Sequence, residues 1–324
     1  MKRSIFRSYE FFLVLLLTVI AVTIGLINPA FFSVGTVFDI IRIQTIYILL
    51  AFGLLPVVIL GGVDISFVAI AALSTYPIHT LLLKLNYEGG IWLYYLAGII
   101  IGVLAGLLIG WLISTFKLGI FDLSLGMNTM IYGFVLFFIG SIVSPDMPAE
   151  MVDWHSRYLI SVQSVVGRSF LHISFLWVMG AGIILHIFLK YTTLGRAIFA
   201  IGSDKSVAIR TGFNLKKVYM TVFPIMGAMA AIAGVTDTAL QGNFRPYLFL
   251  GKNMMVLAAV IMGGASIRGG KGSIPGTFLG VFLVGIINQA LVYLKIPTAW
   301  MDAFVGVTFI TFAVYQTLET RTNK

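Results

Sequence analysis

The chain reads as an all-α integral membrane protein of about ten transmembrane helices, with a broken or short helix near Gly61–Ser66 and a short cytoplasmic helix between later spans. Three observations predict this class. Hydrophobic residues fill 59% of the 324 positions and charged residues only 10%, where soluble domains carry about 25% charged residues. Mean hydropathy is +1.03, and the apolar residues gather into ten stretches near the ~20 residues that a spanning helix needs. Lysine and arginine are distributed unequally between alternate connections. Little sequence remains for a soluble domain, so residues 1–324 are read as one transmembrane domain.

The stretches run over 11–27, 42–60, 66–83, 91–115, 120–143, 171–190, 217–240, 252–267, 274–294 and 299–318. Helices are the expected form because lipid satisfies no free backbone group. The run from Phe11 to Ile27 is long for a signal-peptide core and no A-x-A site follows, so it is read as an uncleaved first span. An even number of spans puts both termini on one side. With that side taken as cytoplasmic, 14 Lys and Arg fall inside, among them Lys2, Arg3, Arg7, Arg321 and Lys324, against 7 outside. This bias is the positive-inside pattern of a multi-pass protein. It also accounts for the formal charge of +9 without a nucleic-acid partner, since no long basic run with interleaved aromatics occurs.

Between the second and third spans lies GGVDIS, with Gly61, Gly62, Asp64 and Ser66. Ionisable groups beside a span are costly and are usually kept for a task, and glycine permits turns and close backbone approach. Two readings of Asp64 stay open: a cap for the helix that follows, or a gating or pathway role. A second glycine cluster, GGASIRGGKGSIPG, carries Gly263, Gly264, Gly269 and Gly270 between the eighth and ninth spans. Its GGKGS misses the spacing of a P-loop, because Ala265 stands at the first glycine position and Gly272 follows Lys271. The chain is therefore expected to bind no ATP and no other cofactor itself.

Rows of small residues such as Gly102, Ala105, Gly106 and Gly110 predict close helix packing. Two connections are long. The outer one, about 144–170, is acidic at Asp146, Glu150 and Asp153, and Trp154 and Tyr158 suit an interfacial helix. The inner one, about 191–216, is basic, with a short helical stretch from Asp204 to Thr211 that Asp204 could cap and Gly212 would stop. The histidines His79, His155, His172 and His186 show no metal-ligand spacing, and the absence of cysteine excludes disulfides and thiolate chemistry. An intramembrane enzyme lacks its chemical groups here.

Five segments in order carry a resemblance: GGVDIS; FDLSLGM (Phe121 to Met127); AIGSDKSVAIRTGFN (Ala200 to Asn214); VIMGGASIRGGKGSIPGTFLG (Val260 to Gly280); and INQALVYL (Ile287 to Leu294). Together the chain resembles permease subunits of ribose-type bacterial ABC importers over nearly its whole length. The resemblance implies a bacterial inner-membrane location, a second permease subunit, two cytoplasmic ATPase subunits that bind ATP and Mg, and an extracytoplasmic solute-binding protein. It makes Asp204, Lys205, Ser206, Ala208, Arg210 and Gly212 the coupling segment. Lys205, Ser206 and Val207 stand where the family pattern has Pro, Glu and Ala. Asp122 stands where an aliphatic or small residue is usual, and Asp302 where Gln is frequent. For the translocation path the candidates are Phe121, Asp122, Asn128, Asp237, Asn288 and Gln289, whose groups could meet sugar hydroxyls or a sugar face. The alternative for each is interhelical packing and hydrogen bonding. An ion-coupled secondary transporter, with Asp122 and Asp237 as coupling carboxylates, is the competing function.

Overall fold

The computed structural model describes residues 9–87, 89–147, 149–164, 167–297 and 300–322. Lys2, Arg3, Arg7 and Lys324, with the side chains of Glu150 and Arg321, lie outside the described residues. Helix α1 (Tyr9–Ile27) is followed by α2 (Val34–Ile59), α3 (Phe67–Leu73), α4 (Tyr76–Lys84) and α5 (Ile91–Phe116). Next comes α6 (Ile120–Phe134), prolonged by a π turn at Val135–Ile139. The outer connection holds α7 (Ala149–His155), β1 (Tyr158–Ser164) and β2 (Gly167–His172). The remaining helices are α8 (Phe175–Tyr191), α9 (Thr193–Ser203), α10 (Lys205–Arg210), α11 (Leu215–Gln241), α12 (Asn253–Met262), α13 (Ile274–Tyr293) and α14 (Met301–Thr322).

Local chemistry sets many of these starts. Ser33, Thr192, Asn214 and Ser273 each accept a backbone N–H three residues on, heading α2, α9, α11 and α13. Such caps satisfy donors that a helix start leaves open. Among the described residues seven helices are long and apolar enough to cross a membrane, or eight if α8 and α9, bent by 72°, form one span. Helices α12 and α14 supply shorter apolar stretches. Every predicted stretch thus overlies a helix.

Helix α2 is the axis of the bundle, with every residue from Ile48 to Ile59 buried. Helices α5 and α11 form the most extensive helix pair. Gly98, Gly102, Gly106 and Gly110 recur every fourth residue and so share one face of α5. A methyl on Gly102 or Gly106 would overlap the carbonyl of Gly227 or Phe223, and one on Gly110 would lie 2.8 Å from Tyr219 O. Dispersion and close backbone approach hold helices together where lipid offers no hydrophobic contrast, and the small-residue row supplies both.

The bundle has two distinct ends. At one, the Tyr9 hydroxyl donates to Met262 O at 3.0 Å and Ser273 Oγ donates to Glu10 at 3.0 Å. At the other, Asn28 Nδ2 donates to Tyr293 O at 3.3 Å, Tyr76 OH donates to Ile142 O at 2.6 Å, and Ser144 pairs with Phe244 as an isolated antiparallel bridge. The two glycine clusters and the α9–α10 segment lie at the first end; residues 144–147, 149–164 and 167–172 lie at the second.

Three expectations are corrected. The outer connection is a short helix plus an antiparallel hairpin, with Tyr158 opposite His172 and Ser161 opposite Phe170, so the fold carries a small sheet beside its helices and Tyr158 sits in a strand. The sixth apolar stretch consequently begins as β2 at Leu171 and His172, and α8 starts only at Phe175. The inner connection is largely helical, because Thr192 caps an additional helix, α9, whose Gly195, Ala197, Ile198 and Ile201 are buried.

Candidate functional site

The break at GGVDIS is built from backbone and one buried carboxylate. Helix α2 ends at Ile59, and Gly61 takes φ +80°, a left-handed turn that favours glycine. Asp64 is fully buried; its Oδ1 accepts from Ser66 N at 2.6 Å and Ser66 Oγ at 2.8 Å. The Asp64 carboxylate thus braces the turn that leads into α3, where Ser66 itself makes no side-chain cap bond. The segment Phe121–Met127 seats on the break. Ile120 packs over Gly62, and Ser124 Oγ accepts from Ile65 N at 3.3 Å.

The late glycine cluster closes against the same place. Gly269 (φ +86°) and Gly270 (φ +73°) bring their backbone onto the end of α2, and Gly270 N donates to Ile59 O at 2.8 Å. Gly263 has another use: a methyl there would meet Gly276 O at 2.5 Å, so it lets the end of α12 lie on the start of α13. Gly264 (φ +92°) lies beneath the Tyr9 ring. Beside this junction stands α10. Asp204 Oδ1 accepts from Ser206 N at 2.8 Å and Val207 N at 3.0 Å, and from Ser206 Oγ at 2.7 Å. Those bonds hold the Asp204 carboxyl below its ordinary pKa, since each favours the charged form. Ala208 is buried, Val207 and Ile209 are about half exposed, and Lys205 and Arg210 are exposed. Gly212 takes φ +90° and ends the helix. The result is a short, capped knob that exposes Lys205 and Arg210 at one end of the bundle.

A family profile described as branched-chain amino acid transport system / permease component matches residues 36–313. The chain belongs to this permease family. The ribose import permease of Escherichia coli (strain K12) is 26% identical over 306 residues, covering 93% of this chain and 91% of that protein. The ribose import permease of Haemophilus influenzae is 28% identical over 287 residues, 87% and 85% of the two chains. The autoinducer 2 import system permease of Yersinia pseudotuberculosis is 28% identical over 304 residues, 94% and 83%. No solved structure matches. The resemblance to ribose-type ABC permeases is borne out by these matches.

The path candidates of this permease are dispersed. Phe121 and Asp122 lie in the first turn of α6, both exposed, where a carboxylate complements the helix dipole. Asn128 and Asn288 each hold a buried side-chain oxygen without a partner among the described residues, and Gln289 beside Asn288 is half-buried. Asp237 is buried in α11 but is not free: Arg245 donates to its Oδ2 at 2.5 Å. Sequence reasoning missed that pair because the residues are eight apart across the turn at Gly242, a spacing no helix periodicity marks. Two more polar residues inside the permease went unread. Gln44 is 2% exposed, packs against Gly285 of α13 and leaves Oε1 unpartnered. Asp39 accepts from Ser169 Oγ at 3.0 Å and so ties α2 to the hairpin. At that same end a cleft of about 510 Å³ opens between Asp146, Met151, His155, Ala239 and Gln241.

Proposed function

We propose that this permease is the transmembrane subunit of an ATP-driven importer of a sugar or sugar-like solute across the bacterial inner membrane. About ten spans form one domain over residues 1–324, and both termini and the glycine junction face the cytoplasm. ATP and Mg bind two separate ATPase subunits, a second permease completes the path, and an extracytoplasmic solute-binding protein feeds it; nucleic acid has no part. The chain itself is not an enzyme. The family match supports the transport role, and relatives that import ribose and autoinducer 2 support a small polyhydroxyl solute. The observation that carries the reading is α10, a capped cationic knob that makes a fitting contact for a motor subunit at the end where the glycine segments meet. The side-chain oxygens of Asn128, Asn288 and Gln44, without partners among the described residues, offer the weak polar contacts that a passing solute requires, since tight binding would hinder release.

An ion-coupled carrier needs a carboxylate free to titrate at depth. Asp237 is held by Arg245, whereas Asp64, with Oδ2 unpartnered among the described residues, favours that second reading. Reconstitution separates the two. Purified permease with its ATPase and binding-protein partners should accumulate radiolabelled ribose only with ATP, unaffected by collapse of proton or sodium gradients. Gradient-driven uptake by the permease alone would replace the ABC reading with the ion-coupled one.

A further inference from the structure

The α9 end of the inner segment is bonded to more than its own loop. Gly202, one turn before α10, lies directly on the end of α2: a methyl there would overlap the Ile59 carbonyl and sit 2.7 Å from Gly270 N. A methyl on Gly269 would sit 2.6 Å from Gly202 O and 2.8 Å from Gly61 N, and one on Gly61 would sit 3.3 Å from Arg268 O. Three chain segments far apart in sequence therefore meet backbone on backbone at Gly202, Gly61 and Gly269–Gly270, fastened by the Gly270 N to Ile59 O bond of 2.8 Å.

We infer that Gly202 is a positioning residue of the transport cycle, the centre of a three-way backbone weld that makes the α9–α10 segment, the α2 break and the late glycine loop move as one body. This rests on the importer reading above and adds how force from the motor would reach both broken regions. Side chains absorb displacement by changing rotamer; touching backbones have no such slack, and close-packed interiors compress little. A knob joined to the bundle through flexible side chains would lose stroke at each contact. This one is joined to the last residue of the axial helix through main-chain atoms. Gly202 needs no special dihedral, since it lies in α9 and has no positive φ. Alanine is the better helix former, so damage from Gly202→Ala would come from the wedge it drives into the weld.

The test uses the reconstituted complex, with ribose uptake and ATP hydrolysis read together. Gly202→Ala should insert, retain its ATPase subunits and hydrolyse ATP, while ribose moved per ATP falls about ten-fold, within the usual size of an inter-site coupling. Gly180→Ala, with open space around it, should keep the wild-type ratio. A wild-type ratio in Gly202→Ala overturns the weld. Uptake by the wild-type complex that persists without ATP removes the importer reading and this inference with it. A second measurement decides the matter even if Gly202→Ala fails to assemble. The Gly270 amide of the wild-type complex, which donates to Ile59 O at 2.8 Å, should stay protected from hydrogen exchange both without nucleotide and with nucleotide trapped. Loss of that protection in either state would show that the joint opens during the cycle, and would overturn the proposal.

Discussion

At the scale of single residues, the charges explain themselves by their partners. Asp237 and Arg245 form a pair with one end buried and the other 39% exposed. Removing the arginine strands a buried carboxylate, which costs about 3–5 kcal/mol in a closed interior and less here, where water reaches the cation. Arg245→Met should therefore lower the melting temperature in detergent more than Asp237→Asn, and the double variant should recover part of the loss. His172 gives a pH prediction. It is 1% exposed, its Nδ1 accepts from Ser174 N at 3.0 Å, and its Nε2 lies 2.9 Å from Trp154 O. Burial holds its pKa below the ordinary 6.5. The unfolded imidazole then binds protons more readily than the folded one, so this contribution to stability is full above about 6.5 and shrinks as pH falls toward the depressed value. Trp154 fluorescence should report a looser cap at mildly acid pH, and His172→Gln should blunt that response. Asp204 was legible as a helix cap because a carboxylate two residues before a short apolar-basic run leaves little else for it to do. Arg245 was not legible, since its partner is set by a turn and not by a repeat.

Among the elements, legibility followed period. The spans were readable because apolar runs near 20 residues have few other fates, and the α5 glycines because a four-residue repeat puts them on one face. Gly102→Leu should cost about 1–3 kcal/mol through forced separation of α5 and α11, read as a lower melting temperature, while Gly180→Leu leaves it unchanged. The hairpin was hidden for the opposite reason. Its strands are short, only Val162 sits between polar neighbours, Leu159 and Ile160 are adjacent apolar residues that break any alternation, and the aromatics of the stretch suited an interfacial helix equally well. Helix α9 was hidden because Leu194 to Gly202 mixes apolar and small residues with a single charge, and only its packing against the bundle makes it a helix. Even α10, read correctly as a helix, gave no hint in sequence that Gly202 before it touches Ile59.

For the whole molecule, the two ends of the bundle carry the orientation argument. Lys271 and Arg210 stand at the glycine end, Arg168 on the hairpin at the other. Single cysteines in this cysteine-free chain should react with an impermeant maleimide from opposite sides: Arg168→Cys in intact spheroplasts, Lys271→Cys only in inverted vesicles. Labelling of both from one side would break the assigned topology. Arg210→Glu should leave insertion intact yet abolish ribose uptake by the reconstituted complex, as read by filter binding. Helix α2 touches both territories. Near its start, Asp39 holds Ser169 and the Arg42 guanidinium lies 5.1 Å from the Phe170 ring; at its other end Ile59 receives Gly270. Thermodynamic reciprocity follows from that single shaft. If a partner on the hairpin biases the shaft toward one pose, it alters the affinity of whatever grips the opposite tip, and that tip must answer by the same factor. Occupancy on one face of the membrane then becomes a message legible on the other, with no diffusing signal between them.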